Sequence, residues 1–182
     1  MLAGPHEYMM HYPIDVSGAF HQNGGSRELV SDQFRNVMRR FAATVSIVSV
    51  GEGGNWWGMT ATSIASVSMD PPALLVCVNR SAAMHAFLGI GTRFCINVLN
   101  VGQEALSDAF GGRVAGDKRF ATGDWRECGS GLPYLDAAQA NVFCTVDALF
   151  EYGTHTVFIG KVYYSRFDKN ICPLVYLDGK YL

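Results

Sequence analysis

Apolar residues recur along the chain with two periods. Phe34, Val37, Met38 and Phe41 fall at i, i+3, i+4 and i+7, the spacing of one helical face, and the pattern opens after Ser31 or Asp32, either of which suits a helix cap. Arg39 and Arg40 complement the macrodipole at its C-terminal turn. Beyond them the period shortens. Val45 to Val50, the fully apolar run Ala73 to Val78, and Phe94 to Leu99 are short strand-like segments. Val142, Cys144, Val146, Ala148 and Phe150 alternate and predict one side of a single strand, and residues 156–167 form another long β-rich segment. Two short helices are expected between strands, Ser81 to Leu88 and Gln103 to Phe110, each followed by a glycine. Residues 1–28 show no period and read as an arm, which leaves one domain over 29–182. The pattern is mostly β with short helices, and a closed or half-closed antiparallel barrel accommodates it.

Composition adds an expectation about assembly. Of the 182 residues 49% are hydrophobic and 16% charged, too little charge to cover a monomer's surface, so apolar surface is expected to meet a second subunit. A net charge of -2 with no Lys/Arg run gives no footprint for nucleic acid. The five cysteines are odd in number and lack a Cys-x-x-Cys pair, so they read as free thiols in a reducing cytoplasm rather than as metal ligands. With no signal-peptide pattern and no apolar stretch long enough to span a bilayer, a soluble cytoplasmic protein without membrane contact is expected.

Four segments carry candidate chemistry. GMTATSIASVSMDPP, residues 58–72, places Thr60, Thr62, Ser63, Ser66 and Ser68 among small apolar residues, either as an ordinary strand with a hydroxyl face or as the wall of a flat polar ligand. In NRSAAMHAF, residues 79–87, Ser81 either caps a short helix or joins Arg80 around a phosphate. KRF at 118–120 is either solvated loop charge or a clamp over a phosphate or ring. His155, at a strand start, either packs structurally or works at a site. The tandem Trp56-Trp57 fits an exposed hairpin or a lid over a ring. No nucleophile elbow, Walker loop, paired-histidine metal motif or Rossmann fingerprint is present, so hydrolysis, phosphoryl transfer and zinc chemistry lack their parts. What remains binds more obviously than it reacts, as in enzymes whose cofactor carries the electrons.

Taken in order from Phe34 to Leu182, the segments FRNVMRRFAATVSIVS, GMTATSIASVSMDPP, CVNRSAAMHAF, FCINVLNVGQEALSDAF, KRF, LPYLDAAQANVFCTV, GTHTVFIGKV and PLVYLDGKYL resemble the split-barrel flavin reductases that supply monooxygenases. The wording is most like the hydroxyphenylacetate and phenol hydroxylase reductase components, including Ala43-Thr44 and Gly153-Thr154-His155 where the broader family has Thr-Gly and Gly-Asp-His. The resemblance implies a Greek-key, FMN-binding split β-barrel that forms a homodimer. It implies an NAD(P)H:flavin oxidoreductase using FMN or FAD with NADH or NADPH, partnered by an aromatic hydroxylase. It places Thr60, Ala61, Thr62, Ser63, Val67 and Ser68 along the isoalloxazine ring and Asn79, Arg80, Ser81, Ala82 and Met84 at the ribityl phosphate. Asn97 then lies beside the flavin, Arg119 and Phe120 reach the cofactor, and His155 stands near the nicotinamide. The same barrel also serves non-catalytic flavin-binding proteins and pyridoxamine-phosphate-type oxidases, the rival readings.

Overall fold

Seven antiparallel strands form the main sheet, in the order β3-β2-β6-β9-β10-β5-β4. They are β2 (Ser46–Glu52), β3 (Asn55–Ala61), β4 (Ile64–Met69), β5 (Pro72–Asn79), β6 (Arg93–Val98), β9 (Ala140–Tyr152) and β10 (His155–Phe167). Three short strands, β1 (Ala43–Thr44), β11 (Val175–Leu177) and β12 (Lys180–Tyr181), make a second sheet, and β7 (Trp125–Glu127) pairs with β8 (Pro133–Leu135). This computed structural model describes residues 27–114 and 116–182. The chain divides into two compact units, Met1–Met38 and Arg39–Leu182, and the described part of the first is α1 (Arg27–Met38).

Helix α1 opens earlier than the apolar spacing predicts. Glu28 occupies its first turn, where an acid complements the macrodipole, and Asp32 pairs with Arg35 at 2.8 Å inside the helix instead of capping it. The helix stops at Met38, so Arg39, Arg40 and Phe41 lie beyond it; Arg39 donates to Asp178 at 2.9 Å. Of the expected arm, residues 1–26 lie outside the described residues, and 27 and 28 belong to α1. Among the described residues no helix is long and apolar enough to cross a membrane.

β2 is buried on both faces through Val50. Val48 and Val50 join a core with Val76, Val78, Phe94, Ile96, Cys144, Val146 and Phe158, while Ile47 and Val45 join a second core with Leu99, Leu106, Phe110, Leu135 and Leu174. Gly53 and Gly54, both at positive φ, make the two-residue turn from β2 to β3. The edge strands β3 and β4 are consecutive in sequence and joined by Thr62 and Ser63 alone. Three Cα steps cover about 11 Å at most, so the end of β3 and the start of β4, on opposite edges of the sheet, lie close together and the sheet is curled.

The alternation read in β9 holds only as far as Val146. Gly160 pairs with Val146 and Ile159 with Ala148, which leaves Asp147 as the extra residue of a β-bulge. Side-chain parity reverses there. Cys144 and Val146 face the core, whereas Ala148 and Phe150 point to the other side, Phe150 with 55% exposure. The five cysteines are free thiols, and burial pushes Cys144 up to about 12 and raises Cys95 well above its ordinary value.

Candidate active site

Three neighbouring strands build a shelf on the outer face of the curled sheet. Residues paired across antiparallel strands share a face, and the rows are Ala65, Leu75 and Ile159; Cys77 and Val157, continuing to Phe150; and Asn79 and His155, continuing to Tyr152. Their sequence neighbours Val76, Val78 and Phe158 fill the core beneath. Ser63 extends the second row, since it accepts the Cys77 N–H at 3.2 Å and its hydroxyl donates to the Cys77 carbonyl at 3.1 Å. The middle of the shelf is apolar and half-buried, and Ser63, Asn79 and His155 supply polar groups at its margin. β4 pairs only with β5, so it presents free strand-edge N–H and C=O groups beside exposed Ala65, Ser66 and Val67.

His155 opens β10, and its Nδ1 lies 2.9 Å from the hydroxyl of Thr154. Among the described residues no hydrogen bond engages its Nε2. At the end of β5, the Asn79 side-chain oxygen accepts the Ser81 N–H at 2.9 Å and the Ser81 hydroxyl at 2.8 Å, a local turn of the kind asparagine favours. Ser81 therefore does not cap. The following 3-10 turn, Ala83–Phe87, starts at Ala82 without a side-chain cap. Arg80 makes a 2.9 Å ion pair with Glu151, and Met84 is buried in the core with Ala82 packed against it. His85 of this turn lies 2.8 Å from the Thr156 hydroxyl, tying the turn to β10 next to His155.

The KRF segment lies in a 3-10 turn, Gly116–Ala121, held against β3. Arg119 donates from Nε to the Val114 carbonyl and from Nη1 to the Gly58 carbonyl, both at 3.0 Å. Phe120 packs edge-on against Phe110, Trp125 and Trp56, with centroids 4.9, 4.8 and 5.5 Å away. Trp57 faces the opposite way and stacks on Phe87 at 3.7 Å. The two tryptophans are thus half-buried packing groups on the two sides of β3, neither an exposed hairpin nor a lid.

Asn97 is fully buried on β6 and knits four strands together. Its amide donates to the Ile47 carbonyl at 2.9 Å and the Ser49 hydroxyl at 3.0 Å, while its oxygen accepts from Leu135 N–H at 2.8 Å and from the Asn141 amide at 2.9 Å.

A pocket of about 350 Å³ opens on the outer side of β3. Thr60 and Thr62 form one wall; Ser107, Asp108, Gly111 and Arg113 form another, from α2 (Glu104–Asp108) and the π-type turn Ala109–Arg113 that follows it; Tyr176 and Tyr181 close it from the C-terminal hairpin. The walls are tied together: Thr60 donates to the Ser107 carbonyl at 2.6 Å, and the Tyr181 hydroxyl lies 3.0 Å from the Ser107 hydroxyl and 2.8 Å from Asp108. Partial burial and the Asp108 carboxylate raise the Tyr181 phenol above its ordinary value, so it remains a donor.

A family model described as flavin reductase like domain matches residues 38–182. The chain belongs to that family. A Rhizobium sp. protein named FADH(2)-dependent resorcinol hydroxylase, reductase component, is 42% identical over 168 residues, 91% of this chain and 94% of the relative. An FMN reductase (NADH) RutF from Pseudomonas syringae pv. syringae is 39% identical over 149 residues, 81% of this chain and 83% of its own length. Among solved structures, the NADH:FAD oxidoreductase SgcE6 of Streptomyces globisporus C-1027 superposes with a TM-score of 0.77 at 33% identity, covering 84% of this chain and 91% of that one.

Against this flavin reductase family, the residues singled out in sequence separate into three groups. Ser63, Asn79 and His155 meet on the shelf, with Val67 and Ser68 farther along β4 and Ser81 just past Asn79. Thr60 and Thr62 line the pocket instead, joined to the shelf through the bond between Thr62 and Ser63. Ala61, Met84 and Asn97 point into the interior, and Arg80, Arg119 and Phe120 are engaged with protein groups. Sequence reasoning missed Ser107, Asp108, Arg113, Tyr176 and Tyr181. The SDAF and VYLDGKY segments carry all of these but Arg113, and nothing local in either says that they meet.

Proposed function

We propose that this chain is an NAD(P)H:flavin reductase that supplies reduced FMN or FAD to a partner flavin-dependent monooxygenase. The observation that carries the reading is the shelf: a half-buried apolar platform about 10 Å across, bordered by an open strand edge and by Ser63, Asn79 and His155. Those residues fit a flavin, whose flat ring needs an apolar face and whose imide edge needs short donors and acceptors. The free N–H and C=O groups of β4 and the hydroxyl of Ser63 provide them. The Ser81 region and the Arg80 guanidinium, shared with Glu151, sit where the ribityl phosphate would be held.

Bound flavin would accept a hydride, two electrons with one proton, from the dihydronicotinamide. The protein's part is placement. His155, oriented through Nδ1 by Thr154, keeps Nε2 available to hold the nicotinamide amide against the ring. No general base is needed for direct transfer, so the imidazole positions without exchanging a proton. The supporting relatives act on NADH with FMN or FAD by name, which favours NADH here.

The finer architecture belongs to the same proposal. The curled sheet is a Greek-key split barrel, and two copies pair through the outer face that carries Phe150 and Tyr152. Apolar exposure on that face supports the homodimer. Five free thiols suit a cytoplasmic setting.

The experiment mixes the purified protein with NADH or NADPH and free FMN or FAD, with no oxygenase present, and follows loss of the dihydronicotinamide absorbance. Turnover is expected with NADH, and no turnover under any pairing would overturn the reading. In a His155→Ala variant the flavin affinity should hold while kcat/KM for NADH falls by about tenfold for each 1.4 kcal/mol of lost positioning. Weakened flavin binding with normal saturated turnover would move His155 to the flavin side of the site.

A further inference from the structure

We infer that Glu151 is an internal competitor for the flavin phosphate, a carboxylate that shares the Arg80 guanidinium with it and so limits how tightly a phosphorylated flavin is held. The inference deepens the reductase reading above and rests on it, because it concerns the turn after β5 where that reading puts the ribityl phosphate. Backbone register sets the pair. Thr156 of β10 lies opposite Val78 of β5 on one side and Glu151 of β9 on the other, and the Arg80 N–H continues the ladder onto the Thr154 carbonyl at 3.0 Å. Glu151 and Arg80 thus stand at the same end of the two strands that flank β10, and their side chains meet at 2.9 Å.

The donors of this turn already have acceptors. The Asn79 side-chain oxygen takes the Ser81 N–H at 2.9 Å and the Ser81 hydroxyl at 2.8 Å, and the Asn79 carbonyl takes the Ala82 N–H at 2.9 Å. The Arg80 N–H is engaged by Thr154, and Nη1 of its guanidinium by Glu151. A phosphate arriving here therefore exchanges one acceptor for another. Such an exchange gains far less than filling a set of unpartnered donors.

Of these internal acceptors Glu151 is the one that is charged and free to leave. Its side chain is 61% exposed and that of Arg80 49%, so water takes over the carboxylate and separating the pair costs little. A guanidinium carries five N–H donors, which lets Arg80 serve the phosphate next to the carboxylate or in place of it. Either way the carboxylate stays tethered to β9 beside the phosphate, and two anions around one cation repel. Binding is thus permitted and kept shallow. The consequence suits a reductase that hands its product to a separate oxygenase, since weak retention at the phosphate speeds release while the ring-binding shelf is untouched.

The test compares FMN with riboflavin, which has the same ring and no phosphate, by fluorescence titration of the full-length protein and its Glu151→Gln variant. The substitution is at an exposed position, and an unchanged melting curve checks the fold. We expect Glu151→Gln to bind FMN at least about threefold more tightly, to release it more slowly by a similar factor in stopped-flow displacement, and to bind riboflavin as the parent does. In an Arg80→Met background, which should itself weaken FMN binding, the same change at Glu151 should have little effect. Unchanged or weaker FMN binding by Glu151→Gln, an equal gain for riboflavin, or an equal gain without Arg80 would overturn the inference. Reduction of FMN by NADH is measured on the parent alone. A parent that turns over while Glu151→Gln fails these expectations overturns this inference only, and a parent that neither binds nor reduces flavin overturns the reductase reading with it.

Discussion

Asn97 draws its importance from what it touches: its amide and oxygen engage Ile47, Ser49, Leu135 and Asn141, all buried. Replacing it with leucine of similar size removes one partner from each of those groups while leaving them out of reach of water. A buried polar group stripped of its partner costs about 1 to 3 kcal/mol, so Asn97→Leu should lower stability by roughly 3 kcal/mol or more. Urea unfolding reads this directly, and a loss under about 1 kcal/mol would show that the network relaxes. The residue scale is also where sequence reasoning was weakest. Ser81 looks like a helix cap, because a hydroxyl just past a strand advertises that role, and nothing local to Arg80 shows that it meets a carboxylate. Their actual partners, Asn79 and Glu151, are fixed by a turn and by a strand 71 residues away.

Among the elements, β9 and β10 depend on a small residue at one place. A Cβ at Gly160 would come 2.4 Å from the tip of the Phe94 ring and 3.0 Å from the Cys144 Cβ, beside the bulge at Asp147. Gly160→Ala should therefore destabilise by about 1 to 3 kcal/mol through overpacking. Trimming the ring with Phe94→Leu in the same chain should recover part of that loss, a coupling that a double-mutant cycle measures. Simple additivity would mean that the strain lies elsewhere. Strands were the most legible elements, since β2, β5, β6 and β10 lie within a residue or two of their apolar runs. The bulge was not legible, because alternation continues through Asp147 while the backbone does not. Nor was the pocket, whose three walls come from residues near 60, 110 and 180 and carry no shared local period.

On the whole-molecule scale, the parity change at Asp147 places Phe150 and Tyr152 on the same outer face as the shelf. With exposures of 55% and 81%, they form an apolar surface next to the proposed active site. Sedimentation of the parent at micromolar concentration should show a dimer, and Phe150→Asp should shift it toward monomer with a loss of reductase turnover. A monomeric parent, or a variant that stays dimeric, would contradict this. The expectation of a second subunit came from composition and from the family resemblance, and the exposed residues past the bulge suggest the face to test for it.

The two residues between β3 and β4 have a consequence for how much length the chain tolerates. Thr62 and Ser63 span the gap between the outermost strands, so their brevity limits how far the sheet can flatten. Extra residues at Gly53-Gly54 would only lengthen a hairpin whose strands stay hydrogen-bonded to each other. The same insertion after Thr62 would slacken the tether between strands that share no ladder, drawing the shelf away from the pocket. Tolerance to insertion should therefore differ sharply between two turns that are only eight residues apart.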